Sequence, residues 1–325
     1  MAEADDPVEC LDAAIEDVGQ ASSAAAEAEA LAGVSSSCAP DLFSQVGQDR
    51  IRRFGRPHCG GQDVGRWGRA NALPRYRCKG RRKTFSPLTG TPLAGLRRRE
   101  RWMDQAGALI SGESIAKAAE RCRIDPTTAF RWRHRFLSAL NFDKPGSLSG
   151  IVAADQTFVL ESFKGKHKDL PRPARKRGGK AGKRGLSKEQ IPVIVARDRA
   201  GATLDLPRLD AHSIMAAPGG AIAPATDFCC DGTALTAFAR RAKLKLHVLP
   251  APGHPKPEAP ELHINNVNAD HGRLKEWIRR FHGVAAKNLP TYLSWRRTIE
   301  ALGDRMKPEA WIMGAAAIGQ QLTRI

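Results

Sequence analysis

No lysine or arginine occurs in the first 49 residues, although the 325-residue chain holds 52 of them. That segment carries eleven acids and no aromatic side chain before Phe43, and Ala and Ser fill much of the rest. So few apolar groups cannot offset the entropy of ordering, and residues 1–49 are expected to form a mostly disordered or weakly helical tail. Aromatic residues make up only 6% of the chain, and no run reaches the roughly 18 apolar residues of a membrane-spanning helix. The acidic start is unlike the basic, then apolar, opening of a signal peptide, so a cytoplasmic protein associated with the nucleoid is expected. Seven scattered cysteines, an odd number, do not make a disulfide framework and fit a reducing compartment. With 30 Gly, 21 Pro and 42% hydrophobic residues, the composition is globular and the length suits about two domains.

Positive charge is what the chain has in excess. All 52 basic residues and only 23 acids lie beyond residue 49, a net +29 on 276 residues. So strong a field repels a compact chain, and a polyanion such as DNA is the partner that relieves it. A generally soluble basic protein is the plainer alternative.

Residues 50–101 are dense in Arg and Gly and short of aliphatics, so they need a staple or a partner to fold. From 102 to 140 the pattern is helical. Ile115, Ala118, Ala119 and Cys122 recur at i, i+3, i+4, i+7; after a short turn, Asp125-Pro126 supplies an N-cap acceptor and a proline at the first helical position. Ala129, Trp132, Phe136, Leu137 and Leu140 then share one face, while Thr127, Thr128, Arg131, His134 and Arg135 offer donors and methyls to base edges and phosphates. A helix-turn-helix DNA-binding region and an ordinary helical hairpin with a solvated basic face both fit this pattern.

Residues 141–150 read as a linker. Beyond it the pattern predicts a strand at 151–160, a hairpin over 191–206, a helix around 211–217, a strand at 227–230, a helix at 233–242, a strand at 246–249 and a long helix from about Asn266 to Phe281. This β-β-β-α-β-α-β-α order predicts an α+β or α/β RNase H-like domain over 151–325, a mixed sheet flanked by helices. Asp155 falls in mid-strand, where a carboxylate is disfavoured without a function or partner, and Asp231 follows a buried strand at its carboxyl end, where open α/β sheets bind ligands. Each alone also reads as ordinary structure, Asp231-Gly232 being a common turn. Converging, the two carboxylates suit Mg²⁺ beside substrate phosphates.

Arg75-Tyr-Arg-Cys78-Lys-Gly80, the run from Thr84 to Leu93, the run from Asp125 to Phe136, Cys229-Cys-Asp-Gly232, and His263-Ile-Asn-Asn-Val-Asn268 running on to Leu274-Lys-Glu-Trp277 together resemble the DDE-type insertion-sequence transposases of bacteria and archaea that carry an N-terminal zinc ribbon. The resemblance spans about Arg56 to Trp311. It implies Asp155 and Asp231 as the first two catalytic acids, holding Mg²⁺ or Mn²⁺. Asn268 then takes the third position, usually Glu, followed by Lys275, as in one subgroup of the family. Seven residues apart, Asn268 and Lys275 lie on one helix face. The neutral carbonyl of Asn268 is a weaker metal ligand than carboxylate, and Lys275 suits a phosphate. Gln156 departs from the family's common Glu. The implied partners are the element's terminal inverted repeats and target DNA, bound by a homo-oligomer, with no membrane role.

The ribbon's four-ligand site is broken in this sequence. One ligand of each Cys-x-x-Cys knuckle is arginine, in Arg56-Pro-His-Cys59 and Cys78-Lys-Gly-Arg81, so Cys59 and Cys78 are remnants and zinc is expected to be lost. Between the first strand and the hairpin, ten basic residues crowd into 21: Lys164, Lys166, Lys168, Arg172, Arg175, Lys176, Arg177, Lys180, Lys183 and Arg184. With no apolar period, this run is expected to clamp the DNA backbone without reading sequence. The function expected is metal-dependent strand cleavage at element ends and strand transfer into target DNA. The alternative is a decayed copy that only binds DNA.

Overall fold

Ile151–Leu160 forms β4, the centre of a five-stranded mixed sheet, in a computed structural model that describes residues 63–138, 147–166, 168–174, 179–183, 187–207, 222–231, 235–249 and 257–317. The acidic segment, Cys59, Arg175, Lys176, Arg177, Arg184, and the helix expected at 211–217 lie outside the described residues.

β4 pairs antiparallel with β5 (Gln190–Asp198), which pairs antiparallel with β6 (Thr203–Pro207). On its other side β4 runs parallel to β7 (Asp227–Cys230), which is parallel to β8 (Lys245–Val248). The spatial order β6-β5-β4-β7-β8 is the RNase H-like arrangement: an antiparallel meander extended by parallel strands on the side of its first member. Both sheet faces are covered, which is why the central strands are apolar on both sides. One face packs Val152, Ala154, Ile194, Ala196, Phe228 and Cys230 against Leu235 and Ala239 of α4 (Leu235–Arg241). The other packs Ala153, Val193, Val195 and Cys229 against Val267 and Leu274 of α5 (Asn265–Arg279) and Leu289 and Leu293 of α6 (Leu289–Leu302).

A separate compact unit combines a three-stranded sheet, β1 (Val64–Ala70), β2 (Leu73–Cys78) and β3 (Thr84–Phe85), with helices α1 (Trp102–Ile110), α2 (Ile115–Cys122), α3 (Pro126–Leu137) and α7 (Pro308–Ala317). α3 starts as its sequence dictates: Asp125 accepts from the Thr127 amide at 2.7 Å, ahead of Pro126. Trp102 of α1 meets Phe136 of α3 edge-on at 5.9 Å. α7 packs on α1 and α3, so the segment after Leu302 belongs with this unit, whereas the sequence pattern ran the catalytic domain on to residue 325. Among the described residues, no helix is long and apolar enough to cross a membrane.

The α5–α6 side of the five-stranded sheet also buries charge. Asp205 of β6 is fully enclosed; it faces Arg297 at 3.5 Å, yet neither carboxylate oxygen accepts a hydrogen bond. Burial pushes its carboxyl up to about 6, against the pull of Arg297 and Arg296. The folded state therefore holds this proton more tightly than the unfolded chain, and stability is lost as pH rises from about 4 to about 6. Asp205→Asn is expected to raise the melting temperature by several degrees at neutral pH and to leave it unchanged in acid, where both states carry the proton. Thermal denaturation at the two pH values checks this, and a lower melting temperature for the variant at neutral pH would contradict it.

Candidate active site

Asp155 lies on the sheet face that packs against α5, because it shares the parity of Ala153 along β4. β7 sets its register beside β4 with Ile151 opposite Asp227, Val152 opposite Phe228 and Ala153 opposite Cys229. Asp231 comes two residues after Cys229, just past the end of β7, as Asp155 comes two residues after Ala153, and the charge of Asp231 is felt at Asp155. Asp231 is exposed at the end of its strand, while Asp155 is mostly buried. The Asp155 carboxyl is pushed up to about 6, first by burial and further by the charge of Asp231. The Gln156 amide, donating to Oδ1 at 2.6 Å, and the charge of Lys275 pull it back down.

α5 completes the site. Val267, Leu274 and, partly, Ile278 form its buried stripe; Asn268, His271 and Lys275 succeed one another at i, i+3 and i+7 along the flank of that stripe. Asn268 and Lys275 are exposed and His271 is buried. His271 was not singled out in the sequence, where it is one polar residue among several. In the structure its Nδ1 lies 3.9 Å from Asp155 Oδ2, and it hydrogen-bonds to the Asp155 backbone. Burial, then the charge of Lys275, holds its imidazole down at about 4, so it is neutral at pH 7, and its Nε2 is buried with no hydrogen-bond partner. Among the described residues no three His, Cys, Asp or Glu side chains form a metal cluster. The donor set is two neighbouring carboxylates, one with its carboxyl pushed up by burial and by the repulsion of the other, and the neutral amide of Asn268 one turn before His271 on α5. Such a set fits a divalent cation, whose charge would relieve that repulsion.

The opposite flank of α5 fixes its rotation. Asp270, wholly buried, accepts from Arg197 of β5 at 2.9 Å, from Arg273 at 2.8 Å and from both terminal nitrogens of Arg296 of α6 at 2.9 and 2.5 Å. Against the cost of burial, the hydrogen bonds and charge of Arg296, then of Arg273, hold its carboxyl below the ordinary range. Arg199 reaches the carbonyls of Glu261 and His263 at 2.6 and 3.0 Å and ties down the chain entering α5.

The residues expected to contact DNA are less uniform. On α3, Thr127 and Arg131 are exposed, and Thr128 and His134 are half-buried. Arg135 is bonded within its unit, Nε donating to the Pro92 carbonyl and Nη2 to that of Ala94 at 2.6 Å, so it locks the turn after β3. Phe130, passed over in the sequence, stands exposed on the polar face and meets the His134 ring edge-on at 4.4 Å. In the basic run, Lys166, Lys180 and Lys183 are exposed, and Lys164 donates to the Gly283 carbonyl at 3.2 Å. The run does pack in part: Arg172 lies over the Phe163 ring at 4.8 Å and pairs with Glu161 at 3.4 Å. Cys78 is buried and accepts a hydrogen bond from the Arg81 amide at 3.1 Å.

No family model matches the sequence, and no curated protein does. Solved structures of Mos1 transposase share a distant likeness. A pre-cleavage Mos1 transpososome is 13% identical over 69% of this chain and 81% of that one, with a TM-score of 0.20. The Mos1 strand transfer complex is 15% identical over 70% and 81%, with a TM-score of 0.21. A likeness of that degree adds nothing to the site described above.

The shared face of α5 has a direct electrostatic test. Lys275→Ala removes a positive charge that lowers both neighbours, so the Asp155 carboxyl is expected to titrate above 6 and the His271 imidazole above 4. NMR titration of the two side chains reads both values, and a His271 titration that does not move would contradict the arrangement.

Proposed function

We propose that the chain is a DDE-type transposase of an insertion sequence, which cleaves DNA at the ends of its element and joins the freed ends to target DNA. The observation that supports this reading is that the charge of Asp231, just past β7, reaches the mostly buried Asp155 of β4, beside which His271 of α5 lies on the same helix flank as Asn268 and Lys275. In the first reaction a water oxygen attacks the phosphorus at the element end and the bond to the 3′ oxygen breaks, leaving a 3′ hydroxyl. In the second, that hydroxyl attacks a target phosphodiester, again displacing a 3′ oxygen.

Asp155 and Asp231 would hold Mg²⁺ or Mn²⁺, with the Asn268 carbonyl oxygen as a neutral ligand. The cation would supply activation of the attacking oxygen and neutralisation of charge on the phosphate. His271 orients Asp155 from behind, and Lys275 grips a phosphate beside the carboxylates. Thr127, Thr128, Arg131 and His134 of α3 read the terminal inverted repeats, while Lys164, Lys166, Lys180 and Lys183, together with Arg175, Lys176, Arg177 and Arg184, hold the backbone of any DNA. A homo-oligomer would pair the two ends. Zinc has no place in this reading, since Arg81 occupies a ligand position next to Cys78 and Arg56 another next to Cys59.

Nicking of a terminal-repeat duplex in Mg²⁺ tests the proposal. Asp155→Asn and Asp231→Asn are expected to reduce cleavage to background while DNA binding stays within about twofold, since the basic surface that dominates affinity is unchanged. Asn268→Ala is expected to cost less than either. A parent protein that binds the duplex but never nicks it in Mg²⁺ or Mn²⁺ would favour a DNA-binding relic instead, and equal nicking by Asp155→Asn would remove the site.

A further inference from the structure

The three-stranded sheet bears an exposed aromatic side chain outside the candidate active site. Trp67 is 50% exposed on β1, and the Arg77 guanidinium of the neighbouring strand lies over its ring at 4.2 Å from the centroid. The register explains the contact: Gly65 stands opposite Arg77, so Trp67, two residues on, falls on the same face, as does Thr84 of β3. The arginines of that face are held in place. Arg77 Nε donates to the Arg82 carbonyl at 3.3 Å, and Arg75 Nη2 to Thr84 Oγ1 at 3.1 Å.

Small residues keep the neighbourhood of the indole clear. A side chain at Gly65 would meet nothing within 4 Å, and Gly68, at φ +73°, lies where the β1–β2 register shifts between Arg66 and Arg69. β1 is an edge strand, exposed from Arg66 to Ala70. Around it, residues 63–85 hold eight basic side chains and one acid. An exposed apolar ring would ordinarily be a liability on an edge; here one side is covered by a fixed cation and the surroundings repel every partner except a polyanion.

From this we infer that the β1–β2–β3 face is a stacking platform for an unpaired nucleotide of single-stranded DNA, with a base on the Trp67 indole and the flanking phosphates on Arg75 and Arg77. Stacking on an aromatic ring needs an open base face, which a paired duplex does not present, whereas every unpaired base does. Arg77 covers one side of the indole and holds it ready, so little side-chain entropy is lost when a base takes the other. The inference rests on the transposase reading for the identity of the polyanion. Strand cleavage is what would expose unpaired nucleotides to such a platform.

The test needs no catalysis. Binding of a fluorescently labelled short oligothymidylate, and of a labelled duplex of matched length, is measured by anisotropy in EDTA for the full-length parent, Trp67→Ala, Trp67→Phe and Arg77→Ala. Trp67→Ala is expected to weaken single-strand binding by about 5- to 100-fold while duplex binding stays within about twofold. Trp67→Phe keeps most of the affinity because it keeps a π-face. Arg77→Ala lies between the two. Trp67→Ala binding oligothymidylate as tightly as the parent, or losing single strand and duplex alike, would overturn the platform. If the Trp67 dependence holds in a protein that never nicks DNA, the platform stands and the catalytic reading falls; if nicking depends on Asp155 while Trp67→Ala binds normally, the reverse follows.

Discussion

The rotation of one helix about its axis decides whether this fold has a site. α5 could lie on the sheet at many angles as far as Val267 and Leu274 are concerned, because apolar packing is only weakly directional. Asp270 removes that freedom. A wholly buried carboxylate is costly unless it is paired, and Asp270 finds Arg197 on β5 and Arg296 on α6 in a single orientation of the helix. Once Asp270 is seated, the flank bearing Asn268, His271 and Lys275 is turned toward the middle of β4, where Asp155 lies. The ion network need not add much net stability to have this effect; its role is to exclude other rotations, each of which would leave a charge unpaired inside the protein.

The same constraint links the two sides of the buried face. Asp205, Val195 and Asp155 lie in one row across β6, β5 and β4, and Asp231 follows the end of β7 on the other side of β4. Two of these acids are enclosed enough to have their carboxyls pushed up to about 6, yet they differ in what could relieve them. Asp205 is sealed among Arg297, Arg296, Asp270 and Glu300, whereas Asp155 is only partly enclosed and feels the charge of the exposed Asp231. A carboxyl raised by burial and standing next to an exposed acid is an expected mark of a cation site, whereas one sealed in the core is simply a cost in stability.

Much of this was legible in the residues. β4 runs over the ten positions that its β-branched and apolar pattern marks, and the Asp125-Pro126 cap fixes the start of α3. Asp155 stood out because an acid within a strand is disfavoured, and Asp231 because it follows a buried strand at its carboxyl end, where open α/β sheets bind ligands. His271 and Asp270 did not: on a helix a lone His or Asp is an ordinary surface residue until tertiary packing shows that it is buried. α6 was missed because Thr291, Ser294, Arg296 and Arg297 interrupt its apolar stripe, and Arg296 is buried only by virtue of a partner 26 residues away. α7 is apolar around most of its circumference, so periodicity carried no signal, and its attachment to α1 and α3 is a long-range contact with no local trace. The pairing of Trp67 with Arg77 was equally hidden, since it depends on a strand register that a short, Arg-rich stretch does not announce.

The proposed divalent-cation site joins Asp155 and Asp231 beneath the flank of α5. Mn²⁺ titration of the full-length protein, followed by paramagnetic broadening of the His271 ring resonances, reports binding and location together. The account predicts saturable binding with selective broadening of His271 in the parent, and loss of both in Asp155→Asn and in Asp231→Asn. Saturable Mn²⁺ binding that leaves His271 sharp, or that survives both substitutions, would contradict it.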